Sequence, residues 1–319
     1  MKDIKIVDGG FSTQLSTHVG EKIDGDPLWT ARFLITNPDA VYATHLDFLR
    51  AGADIILTDT YQASVDGFAK YGGVSEAHSI ALFSRAVDCA KAAVNQYKSE
   101  IENKPDVLNR NPLIAGSCGP YGAFLHDASE YTGKYCSNVS QKVLMDWHRP
   151  RMTTLIESGV DLLAIETIPC QLEAFSLIAL LREFPNIKAW LSFSCSDDGK
   201  HIVDGSDFQE IAVKCYQQAL PGQVVAVGVN CIAPQNVSPL LKGINGRNKA
   251  QIPLVVYPNS GEKYTVTEGW QKVREERSLC EYINEWLNFG VKYIGGCCRT
   301  YASDIENIRA EVHKLTIEH

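Results

Sequence analysis

Continuous runs of apolar, β-branched residues recur along the chain, and segments with helical spacing separate them. The runs are Ile4–Asp8, Ile55–Asp59, Leu113–Ser117, Leu162–Glu166, Ala189–Ser194, Val224–Asn230, Leu254–Pro258 and Tyr293–Cys297. They are not built on polar–apolar alternation, as expected of strands buried on both faces. The segments between them carry helix punctuation. Asn37 is placed to cap a helix that starts at Pro38 and stops at Gly52, with Val41, Phe48 and Leu49 on one face. Near the C-terminus, Ser303 and Glu306 have capping-box spacing, beside an apolar stripe of Ile305, Ile308, Val312 and Leu315.

Eight strands alternating with helices predict a (β/α)8 TIM barrel, a single domain spanning residues 1–319. The rival is a doubly wound sheet. It lacks a Gly-x-Gly-x-x-Gly turn after the first strand, and no Walker-type phosphate loop occurs. The polar stretches Lys98–Asn111 and Asn245–Gln251 read as surface connections, since strand–helix alternation continues across them.

Composition narrows the function classes. The chain has 319 residues, 45 % of them hydrophobic, which is enough for one large core. A net charge of −8 without a clustered basic face gives no footprint for nucleic acid. No signal-peptide h-region and no membrane-length apolar stretch are present. Ten cysteines in such a chain argue for thiols or metal ligands rather than a disulfide framework. The expected compartment is the cytoplasm.

In a barrel of this kind, strand C-termini face the active site. Those ends are polar here: Asp8-Gly9-Gly10, Thr58 to Gln62, Gly116 to Pro120, Glu166-Thr167, Asn230-Cys231, Tyr257 to Ser260 and Cys297-Cys298. Carboxylates, amides and thiols therefore converge on one mouth. Cys297 and Cys298 are adjacent, so on a regular strand they would point to opposite faces. Both reach one metal only if the strand has already ended, and Gly295-Gly296 supplies the backbone freedom for that turn. Cys231 ends a matching strand, and three sulfurs with one open position describe a catalytic zinc site. Without a Cys-x-x-Cys knuckle, a structural zinc ribbon is not supported. Cys89, Cys195, Cys215 and Cys280 read instead as small buried hydrophobes.

Asp8 is either a turn cap or a carboxylate that holds an ammonium group, with glycine amides beside it free to bind a partner. Glu166 follows an apolar run, where a carboxylate is costly to desolvate unless it meets a cation. The eight histidines form no ligand set. His45, His78 and His148 lie in helical segments and read as surface or packing residues, so nucleophilic catalysis has no evident base.

Taken together, Asp8-Gly9-Gly10, Gly52–Ser64, Gly116–Ala123, Glu166 to Pro169, Gly228–Cys231, Tyr257–Glu262 and Gly295–Arg299 resemble the homocysteine S-methyltransferase family, in order and along nearly the whole chain. The resemblance implies a (β/α)8 barrel with Zn2+ held by Cys231, Cys297 and Cys298. It implies that Asp8 and Glu166 hold the amino-acid end of homocysteine. Gly9, Thr60, Tyr61, Trp29 and Asn230 complete the expected substrate-binding set, with Ser117 and Asn259 as further orienting residues.

The family divides by methyl donor. Its betaine-using branch carries a C-terminal extension used in oligomerisation, and an aromatic where this chain has Gln62. The chain is more similar to the branch that uses S-methylmethionine or S-adenosylmethionine, in which some relatives methylate selenocysteine. A monomer or weak dimer is expected.

The chemistry follows from the residues. A free thiol is only a few per cent thiolate at neutral pH, and zinc binding deprotonates it. Three cysteine thiolates leave surplus negative charge on the centre, which keeps a bound sulfur nucleophilic without a general base. Tyr61 and Trp29 offer π faces to a cationic sulfonium. The leading reading is zinc-dependent methyl transfer to homocysteine, giving methionine. The alternatives are a selenocysteine or other thiol methyltransferase, a lyase- or aldolase-type barrel, and a non-catalytic zinc- or thiol-binding barrel.

Overall fold

Eight parallel strands form one sheet that curls until its first and second strands meet. The computed structural model describes residues 4–20, 23–104, 110–246, 251–265, 269–271 and 278–317. The strands are β1 (Lys5–Ile6), β2 (Ile55–Leu57), β3 (Leu113–Cys118), β4 (Leu162–Ile168), β5 (Lys188–Phe193), β6 (Val224–Asn230), β7 (Leu254–Tyr257) and β8 (Val291–Ile294). Each pairs in parallel with its sequence neighbour from β2 through β8, and β8 pairs with β1 at Lys5↔Tyr293. The bridge Val7↔Ile55 closes the ring. Each apolar run carries a strand, but the last is shifted toward the N-terminus: β8 is Val291–Ile294 and shares only Tyr293 and Ile294 with the expected Tyr293–Cys297.

Inside the ring, Val7, Ile55, Ala115, Leu162, Ala164, Trp190, Ala226, Val255 and Tyr257 form a packed plug. The Trp190 indole donates to the Tyr257 hydroxyl at 3.1 Å, so the large plug residues are also paired in their polar atoms. A larger cluster packs the helices onto the outer face of the strands.

The helix Pro38–Ala51 obeys its punctuation. Asn37 accepts from the Ala40 amide at 3.2 Å, and Gly52 closes the helix at φ 108°. Val41, Phe48 and Leu49 are fully buried. The last helix differs from expectation. It spans Ala302–Ile317, so Ser303 lies inside it rather than capping it. Its first turn is held instead by Asp304, which accepts from the Tyr301 amide at 2.7 Å. Ile305, Ile308 and Val312 are buried as the stripe requires, and Leu315 packs at its edge.

The stretch Lys98–Asn111 is only partly a connection. Helix Glu76–Ile101 runs through its first residues, because the buried faces of Val94, Tyr97 and Ile101 continue the helical period past Lys98. Residues 105–109 lie outside the described residues, as do 247–250 of the second stretch. Cysteine usage also departs from expectation: Cys136 and Cys170 are disulfide-bonded, while the other eight are free. Cys215 is buried in the core, whereas Cys89, Cys195 and Cys280 are half-buried at its edge. No helix among the described residues is long and apolar enough to cross a membrane.

Candidate functional site

The C-terminal mouth of the barrel holds a cavity of about 80 Å³. Of the expected residues, Asp8, Gly9, Trp29, Tyr61, Glu166, Asn230, Cys231, Cys297 and Cys298 all line it. Thr60 does not. Its hydroxyl donates to the Ser117 carbonyl at 2.7 Å and meets Thr58 Oγ1, so it ties β2 to β3.

The three sulfurs converge. Cys231 Sγ is 3.6 Å from Cys298 Sγ, Cys297 Sγ is 4.0 Å from Cys298 Sγ, and all three lie within 4.8 Å of one another. Tetrahedral thiolates at a zinc–sulfur distance of about 2.3 Å stand about 3.8 Å apart, so the corner fits a metal of that size. The electrostatics agree. S–H donation from Cys297 and Cys298 pulls the Cys231 thiol below its ordinary range, while the other two are raised. Such a corner settles on one thiolate first and needs a cation to hold more.

Backbone geometry builds this corner. Strand β8 ends at Ile294, before both cysteines. Gly295 and Gly296 provide room there rather than a left-handed bend. A Cβ on Gly295 would stand 2.6 Å from the Asp8 carbonyl oxygen. A Cβ on Gly10 would stand 2.3 Å from the Cys297 carbonyl oxygen. The left-handed positions are instead Cys231 at φ 52° and Arg299 at φ 64°. Trp29 and Thr167, which also line the cavity, are left-handed at φ 47° and 59°. Strained non-glycine backbone thus gathers at the mouth.

Two carboxylates face the sulfurs. Asp8 Oδ2 accepts from the Leu57 amide at 2.7 Å. Burial pushes its carboxyl well above the usual range, the Leu57 amide opposes, and the nearby Glu166 charge adds to the rise. Burial likewise lifts Glu166 to about 7, against hydroxyls of Ser117 and Tyr257 that favour its ionised form. The amide of Gly10 is not free as expected. It donates to both oxygens of Thr300 at 3.0 Å, which fastens the end of β1 to the segment after the cysteines. Asn230 is fully engaged, accepting from the Thr167 amide and donating to its hydroxyl.

The aromatic wall is a Trp29–Tyr61 edge contact at 6.0 Å between ring centroids. A buried chain of groups sets it in place. Arg151 donates to the carbonyls of Tyr61 at 3.1 Å and Gly119 at 2.6 Å, and to His148 Nδ1 at 2.9 Å. His148 Nδ1 is thereby an acceptor, so Nε2 donates to Glu173 at 2.7 Å and the ring is neutral. Burial lowers its pKa in the same direction. Glu173 also receives the Tyr121 amide and the Tyr135 hydroxyl.

Sequence reasoning missed the turn Ser129–Tyr131, which carries Tyr131 over the sulfurs with its hydroxyl 3.7 Å from Cys231 Sγ. It also missed Asp59, whose Oδ2 is buried without a partner and whose carboxyl burial raises to about 8. Asp59 was visible as an acidic strand-end residue, whereas the turn carried no periodic signal.

Comparison with known proteins agrees with this picture. The family model described as homocysteine S-methyltransferase matches residues 5–312. A betaine-homocysteine S-methyltransferase of Drosophila melanogaster is 46 % identical over 99 % of this chain and 96 % of its own length. A homocysteine S-methyltransferase of Escherichia coli is 40 % identical, covering 97 % of this chain and 95 % of its own. The crystal structure of the homocysteine methyltransferase MmuM from Escherichia coli, in its metallated form, superposes with a TM-score of 0.82 at 38 % identity, covering 97 % and 96 % of the two chains.

Proposed function

The chain belongs to the homocysteine S-methyltransferase family and is a methyltransferase, and from that premise we propose that it moves a methyl group from a sulfonium donor, S-methylmethionine or S-adenosylmethionine, to homocysteine, giving methionine. The observation that carries this reading is the three-sulfur corner sharing one cavity with the Asp8–Glu166 carboxylate pair. Catalysis and both substrates are assigned to one barrel spanning residues 1–319.

Cys231, Cys297 and Cys298 would hold Zn2+, which when bound would lower the acceptor thiol's pKa and so present it as a thiolate. The metallated state of the Escherichia coli relative and the spacing of the sulfurs support a metal here. Asp8 and Glu166 take the acceptor's ammonium group, and that cation relieves the burial that holds both carboxyls up. Trp29 and Tyr61 pack against the cationic donor. The acceptor sulfur then forms a bond to the methyl carbon as the carbon–sulfonium bond breaks, and a neutral thioether leaves. No proton moves in that step, so no general base is needed.

Betaine is the second donor reading, and the 46 % identity to the Drosophila protein favours it. Chain length does not separate the two, because this chain covers 96 % of that relative. The deciding experiment supplies metal-loaded enzyme and homocysteine with methyl-labelled S-methylmethionine, S-adenosylmethionine or betaine in turn. Labelled methionine is expected from a sulfonium, and label from betaine alone would replace the donor assignment. Label from none of them would overturn the reading. Selenocysteine as acceptor is measured in the same assay. A cytoplasmic location, which keeps the corner reduced, and a monomeric or weakly dimeric state complete the proposal, and light scattering tests the latter.

A further inference from the structure

Directly over the sulfur corner lies a second cavity of about 550 Å³. Cys231 and Cys298 are part of its lining, and Trp29, Tyr61 and Tyr131 are among its walls. Four carboxylates join them: Asp24, Glu130, Asp197 and Glu262. Among the described residues, no lysine or arginine does.

Three of those carboxylates are already engaged. Asp24 accepts from the Trp29 indole at 3.3 Å, Asp197 from Asn236 at 2.8 Å, and Glu262 pairs with Arg299 at 2.6 Å. Glu130 differs. Its Oε2 is buried and has no partner. The hydroxyl of Tyr61, on the same cavity, is also buried without a partner. The two groups interact, since the Glu130 charge adds to the burial that holds the Tyr61 phenol in its neutral form. An orphaned carboxylate oxygen and an orphaned phenol on one wall are costly unless a ligand completes them. Around a carboxylate, that ligand is a cation with N–H groups.

The turn that carries Glu130 is built to hold this position. Its start is left-handed at Ala128, φ 60°, and Asp127 accepts from the Ser129 amide at 3.0 Å. The next residue is Tyr131, beside Cys231. One short turn therefore presents an unpaired carboxylate and an aromatic ring to the same space above the reacting sulfur.

We infer that this cavity is the methyl-donor subsite and that Glu130 binds the donor's own α-ammonium group. The enzyme then selects sulfonium donors that carry an amino-acid end over donors whose only cation is the methylated centre. The inference rests on the sulfonium reading above. Asp8 and Glu166 are committed to the acceptor's ammonium, and a donor of the S-methylmethionine type brings a second one. Among the carboxylates lining this second cavity, Glu130 is the one with an unpaired buried oxygen to answer it.

The test uses full-length, metal-loaded enzyme with Glu130→Gln, which keeps the shape and removes the charge. The KM for S-methylmethionine should rise roughly 10- to 100-fold, the range for losing a hydrogen bond to a charged group. Metal content and the KM for homocysteine should stay at wild-type values, and Glu130→Asp should recover part of the loss. Calorimetric titration of S-methylmethionine into the homocysteine-free proteins should show the same weakening. A sulfonium carboxylate lacking the ammonium, used as donor, should be indifferent to Glu130→Gln. An unchanged KM for S-methylmethionine overturns the inference, as does an equal rise for the ammonium-free donor. Wild type that uses no sulfonium donor instead overturns the reading beneath it.

Discussion

The hydroxyl of Tyr131, on the turn after β3, stands 3.7 Å from the sulfur of Cys231 at the end of β6. The phenol is held neutral, with the Cys231 charge as the largest cause. It can therefore donate to the sulfur and temper its charge. Tyr131→Phe should retain the metal but lower kcat/KM by about 3- to 10-fold, the worth of one hydrogen bond. Metal analysis beside steady-state kinetics checks both halves.

Metal affinity should depend on a residue that contributes no ligand. A methyl group on Gly10 would press on the Cys297 carbonyl oxygen at 2.3 Å, so Gly10→Ala must displace either β1 or the cysteine turn. The expected result is a folded protein with metal affinity reduced at least about tenfold, a penalty of the size seen when supporting residues around a metal are disturbed. Cys298→Ser should lose stoichiometric metal and nearly all activity, whereas Cys215→Ala, far from the mouth in the helix layer, should keep both. Circular dichroism and metal content on the three variants separate these outcomes.

The stability of the ligand-free protein should fall as pH rises from about 4.5 to about 7 through the Glu166 carboxyl. In this window the unfolded chain has released the proton and the folded chain still holds it, so deprotonation favours unfolding. Glu166→Gln should flatten that part of the profile. Homocysteine should stabilise the wild type most above pH 7, where its ammonium meets an ionised Glu166. Thermal unfolding across the pH range, with and without homocysteine, reads the effect.

Breaking the buried chain beneath the aromatic wall should cost stability and position together. Glu173→Gln leaves Arg151 without its balancing charge, two groups that are almost fully buried. Losing one partner of such a set costs about 3–5 kcal/mol. Because Arg151 holds the Tyr61 carbonyl, the variant should also raise the donor KM more than the homocysteine KM. An unaltered melting temperature would contradict this account.

The barrel was legible because strands buried on both faces leave uninterrupted apolar runs, and each run found its strand. The sulfur corner was legible because Cys231 and Cys297-Cys298 stand where two of those runs end. Gly295-Gly296 pointed to the right place for a different reason: the glycines clear space for Asp8 and Thr300 instead of bending the chain. What stayed hidden lies in segments without a period. The Ser129–Tyr131 turn owes its place to left-handed residues at His126 and Ala128, for which no propensity rule prepares the reader. His148 read as packing on a helix, and it is; Arg151 follows it by one turn of the same helix, but the link to Glu173, in the first turn of the helix Gln171–Leu181, is visible only once the two helices pack. The pairing of Cys136 with Cys170 is likewise a matter of proximity, not spacing.

The first barrel unit is fastened to the last: Gly10 to Thr300, Thr13 to the Arg299 amide, Gln14 to the Ala302 amide. During synthesis, Cys231 leaves the ribosome well before Cys297 and Cys298, and the end of β1 waits longest of all for its partner. A nascent or truncated chain therefore owns one sulfur and no corner. Any metal taken by the three sulfurs would wait until the cysteine turn has docked on the end of β1 and the ring has closed.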